Sequence, residues 1–239
     1  MIGVFCRRIP LAGIVETNSR RFRIRLHREV TTAMISPLDL QVGSLSLGQI
    51  GEAAGSCTAC ELYKDATQVV FGDGPQSASM MIVGEQPGDR EDRAGEPFVG
   101  PAGRELDRAL ENAGIDRADV YVTNVVKHFR FEERGKKRLH KKPTRGHVEA
   151  CRPWFEVELG KVEPNVIVCL GGSAAQALLG SGVRVMKDHG VPTEWRDFLV
   201  IPTIHPSFIL RSSDSERRSE LFELLVDDLR KAAEIAASD

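Results

Sequence analysis

ASMMIVG, residues 78–84, is a short unbroken apolar run that stops at a glycine. An apolar run without alternation suits a strand buried on both faces, and such strands belong to parallel sheets covered by helices. Next comes the polar stretch GEQPGD, and then GPAGRELDRALENAG, residues 100–114. That segment has Pro101 at its start, helically spaced apolar positions inside and Gly114 at its stop, the signature of a helix. Strand, polar turn and helix in succession form the first half of a βαβ unit.

The same alternation continues along the chain. DVYVTNVV (119–126), PNVIVCLGG (164–172) and DFLVIPTIHP (197–206) read as three more strands. PTRGHVEACRPWFEVELGKVE (143–163), SAAQALLG (173–180) and ERRSELFELLVDDLRKAAEIAAS (216–238) read as helices. The fold class is therefore α/β: a three-layer α/β/α sandwich around a four-stranded, mainly parallel sheet. Ligands of such sheets bind at the carboxyl ends of the strands. Those ends carry GEQPGD, TNVVKH, LGGS and TIHPS, so the polar chemistry gathers along one rim.

Two segments divide the 239 residues: an N-terminal extension, 1–45, and one domain, 46–239. The extension includes the basic run RRFRIRLHREV and Met34, a candidate alternative start, and reads as disordered or as lying upstream of the true start. Net charge is −2, which excludes a globally basic nucleic-acid binder, but nine Lys or Arg face two Glu between Lys127 and Arg145. A local patch of this kind attracts phosphates. No apolar run approaches the ~18 residues of a membrane span. No signal-peptide core is evident either, so a cytoplasmic protein without membrane contact is expected. The cysteine count is odd, five, which argues against a disulfide framework. Cys57-x-x-Cys60 reads as a metal or redox pair, Cys169 as an inert core thiol, and Cys6 has no assignment.

GEQPGDREDRAGEPFVGPAGRELDRAL (84–110), YVTNVVK (121–127) and IHPSFILR (204–211), in this order and spacing, resemble the uracil-DNA glycosylase superfamily, in particular its iron–sulfur branch close to family four. The resemblance covers about residues 52–235. It implies extrusion of a uracil base from DNA into a pocket and release of free uracil. Phe98 would stack on the flipped ring, where a bare reading makes it a core aromatic. Asn124 would read the O4 and N3–H edge, where an isolated strand-end Asn is more often a cap. His205 would hydrogen-bond uracil O2 as charge builds on the leaving base. Gln86 and Glu85 would contact the base and the sugar, with Asp89 and Asp92 as loop acids of lower rank. Ser207 belongs to the same substrate-binding set. The FVGPAG loop would meet a phosphate at its helix start. Phe208 and Ile209 would wedge into the stack, and Arg211 would meet the backbone.

The iron–sulfur branch uses four cysteines. Here Cys57, Cys60 and Cys151 fill three places, and His128 stands where the third family cysteine would be. Imidazole replaces thiolate on iron in Rieske centres, so the resemblance implies a [4Fe-4S] cluster on Cys57, Cys60, His128 and Cys151. On ligand type alone, zinc fits equally well.

Between His128 and Cys151 the chain carries an extra basic loop, FRFEERGKKRLHKKPTRG. One branch of the superfamily, UdgX, has an insertion reading Lys-Arg-Arg-Ile-His there, GEQPG where its relatives have GEAPG, and the histidine at the place of His128. All three features coincide in this chain, which is identified as a UdgX-like member. The resemblance implies that His140, next to Arg138 and Leu139, attacks the sugar C1′ and remains attached to it. Arg138 and the lysines would hold the loop against phosphates at the substrate, and nearby cations would lower the His140 pKa. Lys137 and Leu139 depart from the branch's Arg and Ile. Two readings stand beside this one: a conventional turnover glycosylase in which His140 touches phosphate, and a non-catalytic sensor of uracil in DNA. A monomer acting on uracil-containing DNA, with single strands favoured, is expected.

Overall fold

The structure, a computed structural model, describes residues 44–238. The expectations placed on residues 1–43, the basic run, Met34 and Cys6 included, lie outside the described residues. Among the described residues no helix is long and apolar enough to cross a membrane.

The elements in chain order are α1 (Leu47–Ala54), β1 (Met80–Gly84), α2 (Asp89–Ala94), α3 (Pro101–Ala113), β2 (Val120–Asn124), β3 (Phe131–Arg134), β4 (Lys137–His140), α4 (Arg145–Val162), β5 (Val166–Leu170), α5 (Gly172–Leu179), α6 (Val185–Asp188), β6 (Thr193–Trp195), β7 (Phe198–Thr203), α7 (Pro206–Arg211) and α8 (Ser215–Ala236). The four strands read from the sequence are β1, β2, β5 and β7. All are parallel, with Met80 level with both Val120 and Val166.

The sheet has five strands rather than four, in the order β2-β1-β5-β7-β6. The additional strand, β6, is a three-residue edge element that runs antiparallel to β7. It is too short to show any alternation, which is why the sequence hides it. The chain also forms a separate two-stranded sheet, β3–β4, where the sequence reading placed a loop.

Successive residues of each buried strand serve opposite helical layers. Met80, Ile82, Val122, Val168 and Ile201 pack beneath α3 and α8, against Leu106, Leu110, Leu225 and Leu229. Met81, Val83, Tyr121, Ile167 and Cys169 face α4 and α5, against Phe155, Leu159 and Leu178. Cys169 is fully buried there, and burial pushes its thiol above the ordinary range. A smaller cluster of Ile50, Ala54, Cys57 and Trp154 fastens α1 to α4.

One ion pair lies inside the sheet–helix layer. Lys127 and Glu158 are 1% and 0% exposed and in direct contact. Glu158 also accepts from Tyr121, Thr123 and the Gly72 N–H, and Lys127 donates to Thr123 and the Asn124 carbonyl. Every charge is thus hydrogen-bonded, the condition under which a buried pair is tolerated. Its position holds the end of β2, and therefore Asn124, in place.

After β1 the chain turns to β2 on one side, then crosses to β5 on the other. The strand order reverses at β1, so a crevice opens between the carboxyl ends of β1 and β5.

Candidate active site

A cleft of about 950 Å³ occupies that crevice, and Glu85, Phe98, Asn124, His140, His205 and Ser207 all line it. Sequence reasoning had drawn these six from four separate motifs.

Asn124 ends β2 level with Gly84 of β1 and is 3% exposed. Phe98 has a φ of 58°, a left-handed conformation costly for an aromatic residue. Gly103 permits it: a Cβ there would lie 1.5 Å from the Phe98 carbonyl oxygen. The Phe98 ring is buried in the α3–α8 core layer and also walls the cleft, 6.4 Å from the His205 ring and near parallel to it. The same residue thus serves the core and faces the cleft.

His205 is the N-cap of α7. Its Nδ1 accepts from the Ser207 N–H at 3.1 Å and lies 2.9 Å from the Ser207 hydroxyl, which itself accepts from Arg211 at 2.9 Å. An Nδ1 that accepts a backbone N–H carries no proton, so the neutral ring holds its hydrogen on Nε2. Burial, then the Arg211 cation, then His140 depress the imidazole to about 4. His205 is thus a neutral N–H donor at ordinary pH.

Comparison with known proteins agrees with this geometry. The profile of the uracil DNA glycosylase superfamily matches residues 71–230. The type-4 uracil-DNA glycosylase of Thermotoga maritima is 38% identical over 185 residues, 77% of this chain and 91% of that protein. That of Archaeoglobus fulgidus is 36% identical over 198 residues, 80% and 93%. The Sulfurisphaera tokodaii protein of the same name is 32% identical over 200 residues, 80% and 85%. The chain belongs to the uracil-DNA glycosylase superfamily.

This superfamily member carries its basic insertion as the β3–β4 hairpin, turned at Gly135 with a φ of 63°. Two residues expected at the substrate hold the hairpin instead. The Gln86 amide donates to the carbonyls of Arg130 and Lys141 at 3.1 and 3.0 Å and accepts from the Arg130 N–H at 3.1 Å. These atoms close the base of the hairpin. Both amide hydrogens are spent there, so the Gln86 side chain has no N–H left to donate to a base. The change Gln86→Ala, which recreates GEAPG, is expected to free the hairpin base. Backbone hydrogen exchange at Arg130 and Lys141 should then quicken at least about tenfold, for roughly 1.4 kcal/mol of lost protection. Unchanged exchange would refute the anchoring role.

Arg138 is the second correction. It was expected to grip phosphates, but its side chain is 11% exposed and clamped by Asp89 and Asp92. It also lies over the rings of Phe129 and Phe131, 5.5 and 4.9 Å from their centres. Asp92, fully buried, accepts from Thr67 as well. Burial works to raise the Asp89 carboxyl, yet Arg93 and Arg138 outweigh it and hold the group below the usual carboxylate range. Asp89 thus lines the cleft with its carboxylate already paired. The exposed cations are Arg134, Lys136, Lys137, Lys141 and Lys142, of which Lys141 pairs with Glu132.

His140 ends β4 with half of its side chain exposed, and its Nε2 lies 3.4 Å from Glu85 Oε1. Partial burial lowers its pKa below the ordinary value, Glu85 opposes that, and Arg211 reinforces it. The sequence reading credited neighbouring cations, and the effective one is Arg211 on α7 rather than a hairpin lysine.

Other expectations shift by a residue or two. Ile209 is fully buried in the α3–α8 layer, so it is no wedge; the exposed apolar residues of α7 are Phe208 and Leu210. The Gly100 N–H, expected to be open to phosphate, is taken by Glu91 at 2.7 Å. Glu91 was not foreseen. Its carboxylate sits against both Gly88 and Gly100, which are what allow it so close.

The cysteine centre gathers residues from just past the end of α1, from the segment between β2 and β3, and from α4. Cys60 is hydrogen-bonded to Cys151 and His128. Trp154 donates to Cys57 Sγ at 3.2 Å, and the Lys127 N–H to Cys151 Sγ at 3.5 Å. Donation from Cys151 brings Cys60 down to about 4, and the Cys151 thiol is raised in turn. Among the described residues, His128 Nδ1 and Thr58 Oγ1 are buried polar atoms without hydrogen-bond partners, and both belong to this centre. Buried polar atoms are rarely left so, and an unpartnered imidazole nitrogen on a residue in contact with Cys60 fits a metal–sulfur group. Among the described residues no three His, Cys, Asp or Glu side chains are arranged to hold one metal ion.

Proposed function

We propose that this chain excises uracil from DNA and captures the resulting deoxyribose on His140, so that each molecule acts once. The observation that carries the reading is His140 Nε2 at 3.4 Å from Glu85, in the same cleft as Asn124, Phe98 and His205. The UdgX-like assignment and the covalent product stand or fall together.

The base would lie on Phe98 with its N3–H and O4 edge on the Asn124 amide. The C1′–N1 bond breaks with its electron pair on uracil. His205 Nε2–H donates to O2, where that charge spreads, which stabilises the leaving group as it forms. The Glu85 carboxylate balances the positive charge developing at C1′. The free lone pair of the His140 imidazole then forms the C1′–N bond. The imidazolium so made loses its ring proton to water, and the uracil anion takes one up, so no net proton is consumed.

Cys57, Cys60, His128 and Cys151 would hold a [4Fe-4S] cluster. The resemblance to the iron–sulfur branch, rather than the ligand types, favours the cluster over a single zinc ion. When bound, the cluster supplies bonds that tie α1, the end of β2 and α4 together. The exposed hairpin lysines and the α7 apolar pair would meet DNA, single strands preferred because a base needs no unpairing. The protein would work as a cytoplasmic monomer.

The test is a denaturing gel with uracil-containing single-stranded DNA beside its thymine counterpart. A heat- and detergent-resistant shifted band with uracil alone is the expected result. Strand breakage after alkali without a shifted band would leave an ordinary glycosylase.

A further inference from the structure

The β3–β4 hairpin presents three side chains on its inner face: Phe131, its cross-strand partner His140, and Arg138. All three meet one residue from outside the hairpin. The Phe129 ring is stacked on Phe131 at 5.1 Å, lies 5.5 Å from the Arg138 guanidinium carbon and stands 6.1 Å from the His140 ring at 45°. Phe129 is itself 2% exposed. It directly follows His128, so it sits between the cysteine centre and the reactive hairpin.

We infer that Phe129 is a positioning residue: a rigid shelf that sets where the His140 imidazole stands relative to Glu85. A two-stranded hairpin is marginal alone in water. Polar clamps fix its two ends, Gln86 at the base and Arg138 against α2. Neither touches the His140 ring. The ring meets Glu85 through Nε2 at 3.4 Å and the tilted Phe129 ring at 6.1 Å between centres, with half of its surface open. Removing the shelf leaves a space into which the imidazole can turn, and Glu85 alone does not stop rotation about the side-chain torsions. The excision groups Asn124, Phe98 and His205 stand on other elements. Phe129 would therefore govern the fate of the sugar after the base has gone, rather than departure of the base.

The inference rests on the covalent reading, and the experiment separates the two. Phe129→Leu and Phe129→Ala, each purified as the full chain, are given uracil-containing single-stranded DNA. Adduct and free abasic DNA are counted in the same lanes. The ratio of adduct to abasic product is expected to fall about tenfold in the leucine variant and further in the alanine variant, as for a reacting atom displaced by a fraction of an ångström. With protein in excess over DNA, the single-turnover rate of total excision should stay within about threefold of the parent. A purely structural role would lower both products together and leave their ratio unchanged, and that outcome overturns the inference. The rate at which diethyl pyrocarbonate modifies His140 is measured alongside, by mass mapping. It should rise in both variants as the ring swings into water, and an unchanged rate also overturns the inference. If the parent protein itself forms no adduct, the covalent reading fails, and the modification rate alone still decides whether Phe129 holds the ring.

Discussion

His140→Ser is expected to abolish the denaturation-resistant adduct, a loss of more than about 100-fold, while uracil release continues and becomes repeatable. Serine is shorter than histidine and opens room beside Glu85, where water can enter and attack C1′ in place of the ring. Departure of the base is served by His205 and Asn124, which the change does not touch. The same variant settles the origin of the pH profile. In the parent, only the neutral His140 ring is a nucleophile. Its pKa is lowered, by partial burial and by Arg211 against the pull of Glu85. The protonated, unreactive form should therefore accumulate only below the ordinary value of about 6.5. The adduct rate should be flat above pH 7 and fall on acidification through a midpoint under 6.5. That step should vanish from the excision rate of His140→Ser. An adduct that persists in the serine variant, or a midpoint above 6.5, would remove His140 from the role of nucleophile.

Much of this architecture is written in residues that have one structural reading. The strand runs ending at Gly84, Asn124, Leu170 and Thr203 are apolar on both faces, which only a covered parallel sheet accommodates. Pro101 and Gly114 bracket α3 as their backbone preferences require. Glu85, Asn124, His205 and Ser207 were legible because each ends or closely follows such a strand, whereas Phe98 and His140 were legible only through the motifs around them. What the sequence hid depends on contacts between distant segments. Gln86 looks like a base contact by position, and it becomes a hairpin anchor only because Arg130 and Lys141 come to lie opposite it. Arg138 looks like one more cation in a basic run, until α2 brings Asp89 and Asp92 to its guanidinium. Alternation along the short α7 decides between Ile209 and Leu210, and one position reverses inside and outside. Glu91 and Phe129 carry no local signal at all, since their value lies in what packs on them.

The second large effect belongs to a residue without a side chain. Gly84→Ala is expected to cost about 100-fold in uracil excision with the fold retained. A Cβ at position 84 would lie 2.3 Å from Asn124 Oδ1 and 2.7 Å from Phe98 Cζ. Both distances are far inside van der Waals contact, so one or both groups must move. Asn124 has little freedom, since the buried Lys127–Glu158 pair holds the end of β2. Phe98 has little either, since Gly103 and the α3–α8 layer fix its left-handed backbone. Whichever yields, either the amide that reads the base edge or the ring beneath the base leaves its place. The strain itself is of order 1–3 kcal/mol, as for other overpacked sites, so the protein should remain folded with a lowered melting temperature. Gly160→Ala provides the contrast. It lies within α4, nothing stands within 4 Å of its added Cβ, and replacing a helical glycine should stabilise by about 0.5–1 kcal/mol with excision unchanged. Single-turnover excision and thermal melting of the two variants, measured side by side, separate loss of the site from loss of the fold. Full excision by Gly84→Ala would mean that uracil does not depend on Asn124 and Phe98 standing where they do, and the assignment of both to the base would fall.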